Sequence, residues 1–147
     1  MSETLAWPPT DQWTVLACTL WMEARGDSLP GMQAVANVVM NRVRSPRWWG
    51  DDIISVCLKP DQFSSWNPGS TQISKVQEAM VNGDLDYKVA LHLTQLAIMG
   101  ILPDITGNAD SYYADYIGTP SYDKPSEFTV EIGSQKFYRT ELPPLVG

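Results

Sequence analysis

The residues from 29 to 43 constrain the fold of this chain more than any other stretch. Their apolar side chains recur at the helical spacing i, i+3, i+4 and i+7, and further apolar positions widen that stripe: Met32, Val35, Ala36, Val39 and Val43, with Ala34, Val38 and Met40. A helix that is apolar on nearly all sides has to be buried. We therefore expect this helix at the centre of the core, with Pro30 in its first turn and Asp27 or Ser28 as its cap.

Four other segments carry helical patterns of their own. With the central one, the expected helices span about 11–25, 29–43, 52–58, 71–81 and 84–101. Thr10 or Asp11 is the cap of the first helix, and Asn82-Gly83 separates the last two. These patterns predict a predominantly α-helical fold.

The end of the chain has a different period. Phe128, Val130 and Ile132 alternate with polar residues, and Gly133-Ser134 supplies a two-residue turn to a second strand over 135–139. In that register Phe137 faces Val130, and Tyr138 lies on the opposite, more polar face. The expected fold class is thus α+β, mostly helical, with a small C-terminal β-hairpin.

The chain has 147 residues, of which 44% are hydrophobic and 18% are charged. This length and composition predict one globular domain, and we expect a single catalytic domain over residues 1–147. Residues 1–9 are expected to form a flexible arm, because Pro8-Pro9 blocks a helix. No apolar run reaches the length of a membrane helix, and the N-terminus lacks the features of a secretory signal. We expect a monomer that is made in the cytoplasm and has no integral membrane segment.

Charge and composition exclude several classes of function. A formal net charge of −7 argues against a nucleic-acid partner held by phosphate contacts, and an anionic polymer would have to be held in a local cleft. With one histidine, His92, and two cysteines, Cys18 and Cys57, the chain offers no zinc ligand set. We expect no metal and no cofactor, a solvated His92 and two buried free thiols.

Glu23 is the candidate for chemistry. Trp13, Leu16, Ala17, Leu20 and Ala24 share one face of the first helix, and Glu23 falls beside that face. Arg25 points away, and Gly26 ends the helix. A half-buried carboxyl group should have a raised pKa and could donate a proton near neutrality, as a general acid must. The alternative is a solvated glutamate, or one paired with Arg25 or another arginine.

Two loops have suggestive compositions. Residues 42–50 combine three arginines with Trp48 and Trp49. These side chains could form a contact surface for sugars or for an anionic envelope. We favour a structural interpretation, in which the arginines complement the dipole of the preceding helix and the tryptophans pack inward. Residues 61–69 combine amide, hydroxyl and aromatic side chains without a helical period, which suits a carbohydrate cleft. Taken by itself, that second loop is better explained as an ordinary polar turn.

Several stretches, in order, resemble the SleB/CwlJ-type cell-wall hydrolases, which are known for spore-cortex lysis and also occur in bacteriophage. The matching stretches are Glu23-Ala24-Arg25-Gly26-Asp27, the residues from Ala34 to Asn41-Arg42-Val43, Gln62-Phe63-Ser64, the segment 107–113, and Phe137-Tyr138-Arg139. The likeness covers about residues 14–139, and five motifs in order make a specific signal.

This resemblance implies a lysozyme-like domain that cuts the glycan strands of peptidoglycan. The family's catalytic glutamate corresponds to Glu23. The cleft-lining segments of the family make five residues candidate sugar contacts: Gln62, Ser64, Tyr112 and Tyr113, with Tyr138 as a weaker one. The chain departs from the family at Ser111, where members usually carry a histidine before the aromatic pair, so activity or substrate preference could differ.

The resemblance favours a lytic transglycosylase, in which Glu23 is first the acid and then the base, over a muramidase that hydrolyses the same bond. Glycosidases generally use two carboxylates about 5–5.5 Å or 6.5–9.5 Å apart. Asp27 is the nearest second acid, but a capping or motif-supporting role suits it better, and Asp61 and Asp110 have no independent support. A third interpretation is a non-catalytic glycan-binding or virion structural module. We expect a phage endolysin that reaches the periplasmic cell wall through a phage lysis system.

Overall fold

Helices and a three-stranded antiparallel sheet make up the part of the chain described by the computed structural model, residues 7–60, 62–114 and 127–142. The helices are α1 (Gln12–Ala24), α2 (Ser28–Arg44), α3 (Ile53–Leu58), α4 (Gln72–Asn82) and α5 (Leu85–Ile98). The strands are β1 (Ser111–Ala114), β2 (Phe128–Ile132) and β3 (Gln135–Tyr138). Short 3-10 turns over Arg25–Asp27 and Ser64–Trp66 complete the elements. The predicted fold class, mostly α with a small sheet, is confirmed.

Helix α2 is the centre of the core, as its all-round apolar pattern predicts. It packs against α1, α3 and α5 and also contacts β2. Its buried residues include Met32, Val35, Val38 and Val39, none of which has exposed surface. Helix α1 is buried on nearly all sides as well, from Val15 to Met22.

The helix boundaries have identifiable causes. The Asp11 carboxylate accepts the backbone N–H of Thr14 at 2.9 Å and so begins α1. Asp52 and Ser55 form a reciprocal capping box at the start of α3. Helix α5 ends at Ile98, earlier than the predicted 101, because Gly100 adopts a left-handed conformation with φ of 77°.

One predicted apolar stripe needs correction. Trp13 is 40% exposed, since it lies in the first turn of α1, before the buried stretch of that helix begins at Val15. The prediction of an exposed His92 is confirmed, and Cys18 and Cys57 are buried free thiols as expected.

The sheet contains the predicted hairpin and one strand that the sequence patterns missed. Strands β2 and β3 pair through the turn at Gly133-Ser134, and Val130 faces Phe137 as predicted, with an irregularity between Phe128 and Val130. Strand β1 adds to the other edge of β3, so the order is β1-β3-β2.

The face of β3 that was expected to be polar is covered. Tyr138 is buried because the Tyr113 ring stacks on it at 5.3 Å and the Phe128 ring meets it edge-on at 5.6 Å. The prediction of a polar environment for Tyr138 was therefore wrong.

Most of the predicted N-terminal arm, residues 1–6, lies outside the described residues. Trp7 stacks on Trp66 with ring centroids 5.3 Å apart, so this end of the arm packs against the domain. None of the helices in the described ranges has both the length and the apolarity needed to cross a lipid bilayer.

Candidate active site

Glu23 lies in the last turn of α1, half-buried between two separate segments of the chain. The Ser65 backbone N–H donates to Oε2 of Glu23 at 3.2 Å, and the Ser65 hydroxyl donates to the same oxygen. The Tyr112 hydroxyl donates to Oε1 at 2.9 Å. Both carboxyl oxygens are thus held in place, one by each segment.

The alternative interpretation of Glu23 as a solvated or arginine-paired residue is wrong. The Arg25 guanidinium lies over the Trp21 ring, 3.8 Å from its centroid, and donates to the Trp21 carbonyl at 3.2 Å. Cation–π stacking and this backbone bond therefore direct Arg25 to its own helix rather than to Glu23.

The serine turn, Ser64–Trp66, brings Ser65 to Glu23. The Trp66 indole N–H donates to the Thr19 hydroxyl at 2.9 Å, and Thr19 lies one helical turn before Glu23 on α1. Ser65 is buried while its neighbour Ser64 is exposed. Sequence reasoning selected Ser64 as a cleft residue and missed Ser65, which makes the contact.

Tyr112 reaches Glu23 from β1. Its ring packs against Phe137 at 5.5 Å and Phe63 at 6.3 Å, measured between centroids. Burial raises the pKa of Tyr112 well above its usual range, and the nearby Glu23 carboxylate raises this pKa further. The Tyr112 hydroxyl therefore keeps its proton and acts as a donor to Glu23.

The other candidate sugar contacts are not gathered at Glu23. The hydroxyls of Tyr113 and Tyr138 lie 2.9 Å apart on the opposite face of the sheet from Tyr112, and both rings are buried. Gln62 is half-buried, with its Oε1 3.4 Å from an Arg42 nitrogen. Only Tyr112, of the five candidates, bonds directly to Glu23.

Asp27 stabilises the fold around the motif that runs from Glu23 to Asp27. Its carboxylate accepts from the Ser134 backbone N–H at 3.1 Å and from the Ser134 hydroxyl at 3.0 Å, which ties the α1–α2 junction to the β2–β3 turn. Gly133 is needed there, because its φ is 58° and a Cβ would lie 2.6 Å from Cγ of Asp27. The motif-supporting role is confirmed; the capping role is wrong, since no side-chain bond from Asp27 caps α2.

Asp110 is fully buried and binds the residues that follow β3. Its carboxylate accepts from the hydroxyls of Ser111 and Thr140 and from three backbone N–H groups, those of Thr140, Glu141 and Leu142. Ser111, the departure from the family pattern, therefore belongs to the Asp110 hydrogen bonds rather than to the Glu23 site. Asp61, the remaining candidate acid, lies outside the described residues.

The arginine–tryptophan loop matches its favoured interpretation only in part. Trp49 is buried and its indole N–H donates to the Arg42 carbonyl at 3.0 Å, whereas Trp48 is 50% exposed. Arg42 is only 7% exposed, because its guanidinium turns inward to the Asp110 carbonyl rather than to the helix end. A dipole-complementing role for Arg42 is thus wrong.

Among the residues that the structure describes, no three histidine, cysteine, aspartate or glutamate side chains are grouped so that they could hold a metal ion. The chemistry available at Glu23 is that of one carboxyl group with three neighbouring donors. Such a group can give a proton to a bound substrate and take one back.

Comparison with known proteins adds a family and two solved structures. Residues 26–138 match a family model described as Cell Wall Hydrolase, a range that begins three residues after Glu23. No curated protein matches the chain.

Both solved structures are similar over nearly the whole chain. The catalytic domain of the germination-specific lytic transglycosylase SleB from Bacillus anthracis is 24% identical, with 91% of this chain and 99% of that chain covered and a TM-score of 0.63. The catalytic domain of the Bacillus cereus SleB protein is 25% identical, with 93% and 98% covered and a TM-score of 0.61.

Proposed function

This chain belongs to the cell wall hydrolase family, and we propose that it is a lytic transglycosylase with Glu23 as its acid and its base. Peptidoglycan cleavage follows from membership of the family. The finer proposal is that the bond between N-acetylmuramic acid and N-acetylglucosamine is cut. The observation that supports a transglycosylase is the environment of Glu23, a single half-buried carboxyl group whose two oxygens bind Ser65 and Tyr112.

The hydrogen bonds suggest which oxygen carries the proton. The Ser65 backbone N–H can only donate, so Oε2 has to be an acceptor in both protonation states of Glu23. The Tyr112 hydroxyl at Oε1 can rotate and either donate or accept. We therefore assign the transferable proton to Oε1.

In the first step, Glu23 gives this proton to the glycosidic oxygen while the bond from that oxygen to C1 of the muramic sugar breaks. The Glu23 carboxylate that remains is stabilised by its three donors. In the second step, the muramic C6 hydroxyl closes on C1 and its proton returns to Glu23. The product has a 1,6-anhydro end, no water is consumed, and Glu23 is neutral again.

Two candidate partner acids in the described part of the chain are already engaged elsewhere. Asp27 is engaged with the β2–β3 turn, and Asp110 is buried beneath five donors. An inverting or retaining glycosidase would need a second accessible carboxylate, within about 10 Å of the first. Neither of these two side chains is available for that role.

A muramidase that hydrolyses the same bond with Glu23 as its acid is the second candidate. It is favoured by the description of the family, which is that of a hydrolase. Hydrolysis and transglycosylation differ in the fate of C1, which receives water in one case and the C6 hydroxyl in the other.

Mass spectrometry of fragments released from purified peptidoglycan in oxygen-18 water tests the proposal. We expect anhydro ends, lighter than reducing ends by one water, and no incorporation of oxygen-18. Reducing ends that carry oxygen-18 would contradict the transglycosylase and support the muramidase.

A further inference from the structure

Arg42 is a buried arginine behind the Glu23 site, with 7% of its surface exposed. It lies in the last turn of α2, and its Nε donates to the backbone carbonyl of Asp110 at 2.8 Å. Its Nη1 donates to Oε1 of Gln62 at 3.4 Å, and its guanidinium carbon is 5.7 Å from the centroid of the Phe63 ring. A single guanidinium thus contacts two segments that are distant in sequence.

These two segments are the ones that carry the donors to Glu23. Asp110 precedes Tyr112 by two residues, on the way into β1. Gln62 and Phe63 precede Ser65 by three and two residues, on the way into the serine turn. Arg42 is therefore in a position to determine the distance between the donor at Oε1 and the donor at Oε2.

Packing alone does not explain an arginine at this position. Burial lowers the pKa of Arg42 from its usual value, while nearby Tyr112 and Asp110 favour its charged form. Both hydrogen-bond acceptors in its described contacts are neutral oxygens, so the cation is desolvated without a directly bonded carboxylate. An apolar side chain of the same volume would avoid that cost, but it could not bond in two directions.

We propose that Arg42 is a positioning residue, which fixes the spacing between Ser65 and Tyr112 and so holds the Glu23 carboxyl group in its reactive orientation. This inference rests on the proposed function of Glu23. Lysine cannot replace the arginine, because one ammonium group on a flexible stem does not reproduce two donors in a planar fork. The role belongs to the shape of the guanidinium as well as to its charge.

The first test compares Arg42→Lys and Arg42→Met with the same two substitutions at Arg44, an exposed arginine at the end of the same helix. With soluble glycan oligomers as substrate, we expect both Arg42 variants to lose roughly 100-fold in kcat, since a misplacement of about 1 Å costs that much. KM should change much less, and both Arg44 variants should keep the wild-type rate. Wild-type kcat in Arg42→Lys would overturn the inference.

The second test asks whether Arg42 acts through the two donors. Arg42→Lys is introduced into the wild type and into the Ser65→Ala/Tyr112→Phe double variant. If Arg42 acts by positioning these donors, its substitution should cost several-fold less in the double variant, where only the Ser65 backbone N–H still binds Glu23, because effects of coupled residues are not additive. The same loss in both backgrounds would mean a general structural role and would contradict the inference.

Folding is checked by circular dichroism, and if Arg42→Met does not fold, Arg42→Lys alone decides both tests. The failure of this inference and of the proposed function have different signatures. An inactive Glu23→Gln with a fully active Arg42→Lys contradicts only the role of Arg42. A fully active Glu23→Gln contradicts the proposed function, and the role of Arg42 with it.

Discussion

The hydroxyl of Tyr112 lies 2.9 Å from Oε1 of Glu23, although 89 residues separate the two in the chain. The bond joins the last turn of α1 to the first strand of the sheet. It holds one oxygen of the carboxyl group, whereas Ser65 binds the other oxygen, Oε2. A hydrogen bond to a charged group is worth about 1.5–3 kcal/mol, so the Tyr112 hydroxyl should matter measurably to the reaction.

Tyr112→Phe should lower the initial rate of peptidoglycan clearing about tenfold or more, which corresponds to the loss of such a bond. The ring and its packing on Phe137 are retained, so the fold should persist. Tyr113→Phe is the matched comparison, because that hydroxyl bonds to Tyr138 on the other face of the sheet. A larger loss for Tyr113→Phe than for Tyr112→Phe would contradict the site described here.

Adjacent serines provide a second comparison. Ser65→Ala removes the hydroxyl donor to Glu23 but keeps the backbone donor, so we expect kcat to fall about tenfold. Ser64→Ala should leave kcat unchanged, because Ser64 is exposed and has no bond to Glu23; any effect should appear in KM as a lost sugar contact. Steady-state kinetics on soluble glycan oligomers separates these outcomes, and a kcat effect for Ser64 alone would refute the assignment.

Asp27→Asn should affect stability and not chemistry. It weakens the bonds between the α1–α2 junction and Ser134, so the free energy of unfolding should fall by about 1–3 kcal/mol. Urea unfolding measures this loss, with the exposed Asp51→Asn as its control. If Asp27→Asn instead abolished kcat at unchanged stability, Asp27 would be a second catalytic acid.

Alkaline pH should destabilise the protein through its buried thiols. Burial raises the pKa of Cys57 from 9.0 to about 12, and that of Cys18 to the same value. Between pH 9 and about pH 12, a thiol in the unfolded chain loses its proton, whereas the same thiol in the folded protein keeps it. The contribution of each thiol to stability is therefore fully present below pH 9 and is lost as the pH rises toward 12.

The slope should reach about 1.4 kcal/mol per pH unit for each thiol. Urea titrations at stepped pH values would measure it, and Cys57→Ala should flatten the decline even though its cavity lowers stability at neutral pH. A slope that is identical in the variant would show that Cys57 is not responsible.

Features that depend on the residues of a single helix or hairpin could be predicted from local sequence patterns. The half-burial of Glu23 follows from its angular position beside Leu20 on α1, and the central place of α2 follows from its apolar residues on all sides. The β2–β3 register followed from alternation and the two-residue turn, and Val130 faces Phe137 accordingly.

Features that depend on distant segments could not be predicted in the same way. Which serine of the Gln-Phe-Ser loop points inward is decided by the bond between Trp66 and Thr19, and the loop has no period that would reveal it. Strand β1 has only four residues and forms by pairing with β3, more than twenty residues further along the chain. The inward turn of Arg42 depends on Asp110, 68 residues away.

The role of Glu23 as the catalytic acid is tested most sharply by the initial rate of peptidoglycan clearing by Glu23→Gln. The control is Glu78→Gln, a substitution of an exposed glutamate on α4. The amide has the size of the carboxyl group and can still accept hydrogen bonds, but it cannot transfer a proton. We expect Glu78→Gln to clear at the wild-type rate and Glu23→Gln, although folded, not to clear. Clearing by Glu23→Gln at more than about a tenth of the wild-type rate would contradict the role of Glu23 as the acid, because general acid–base catalysis contributes about 100-fold or more.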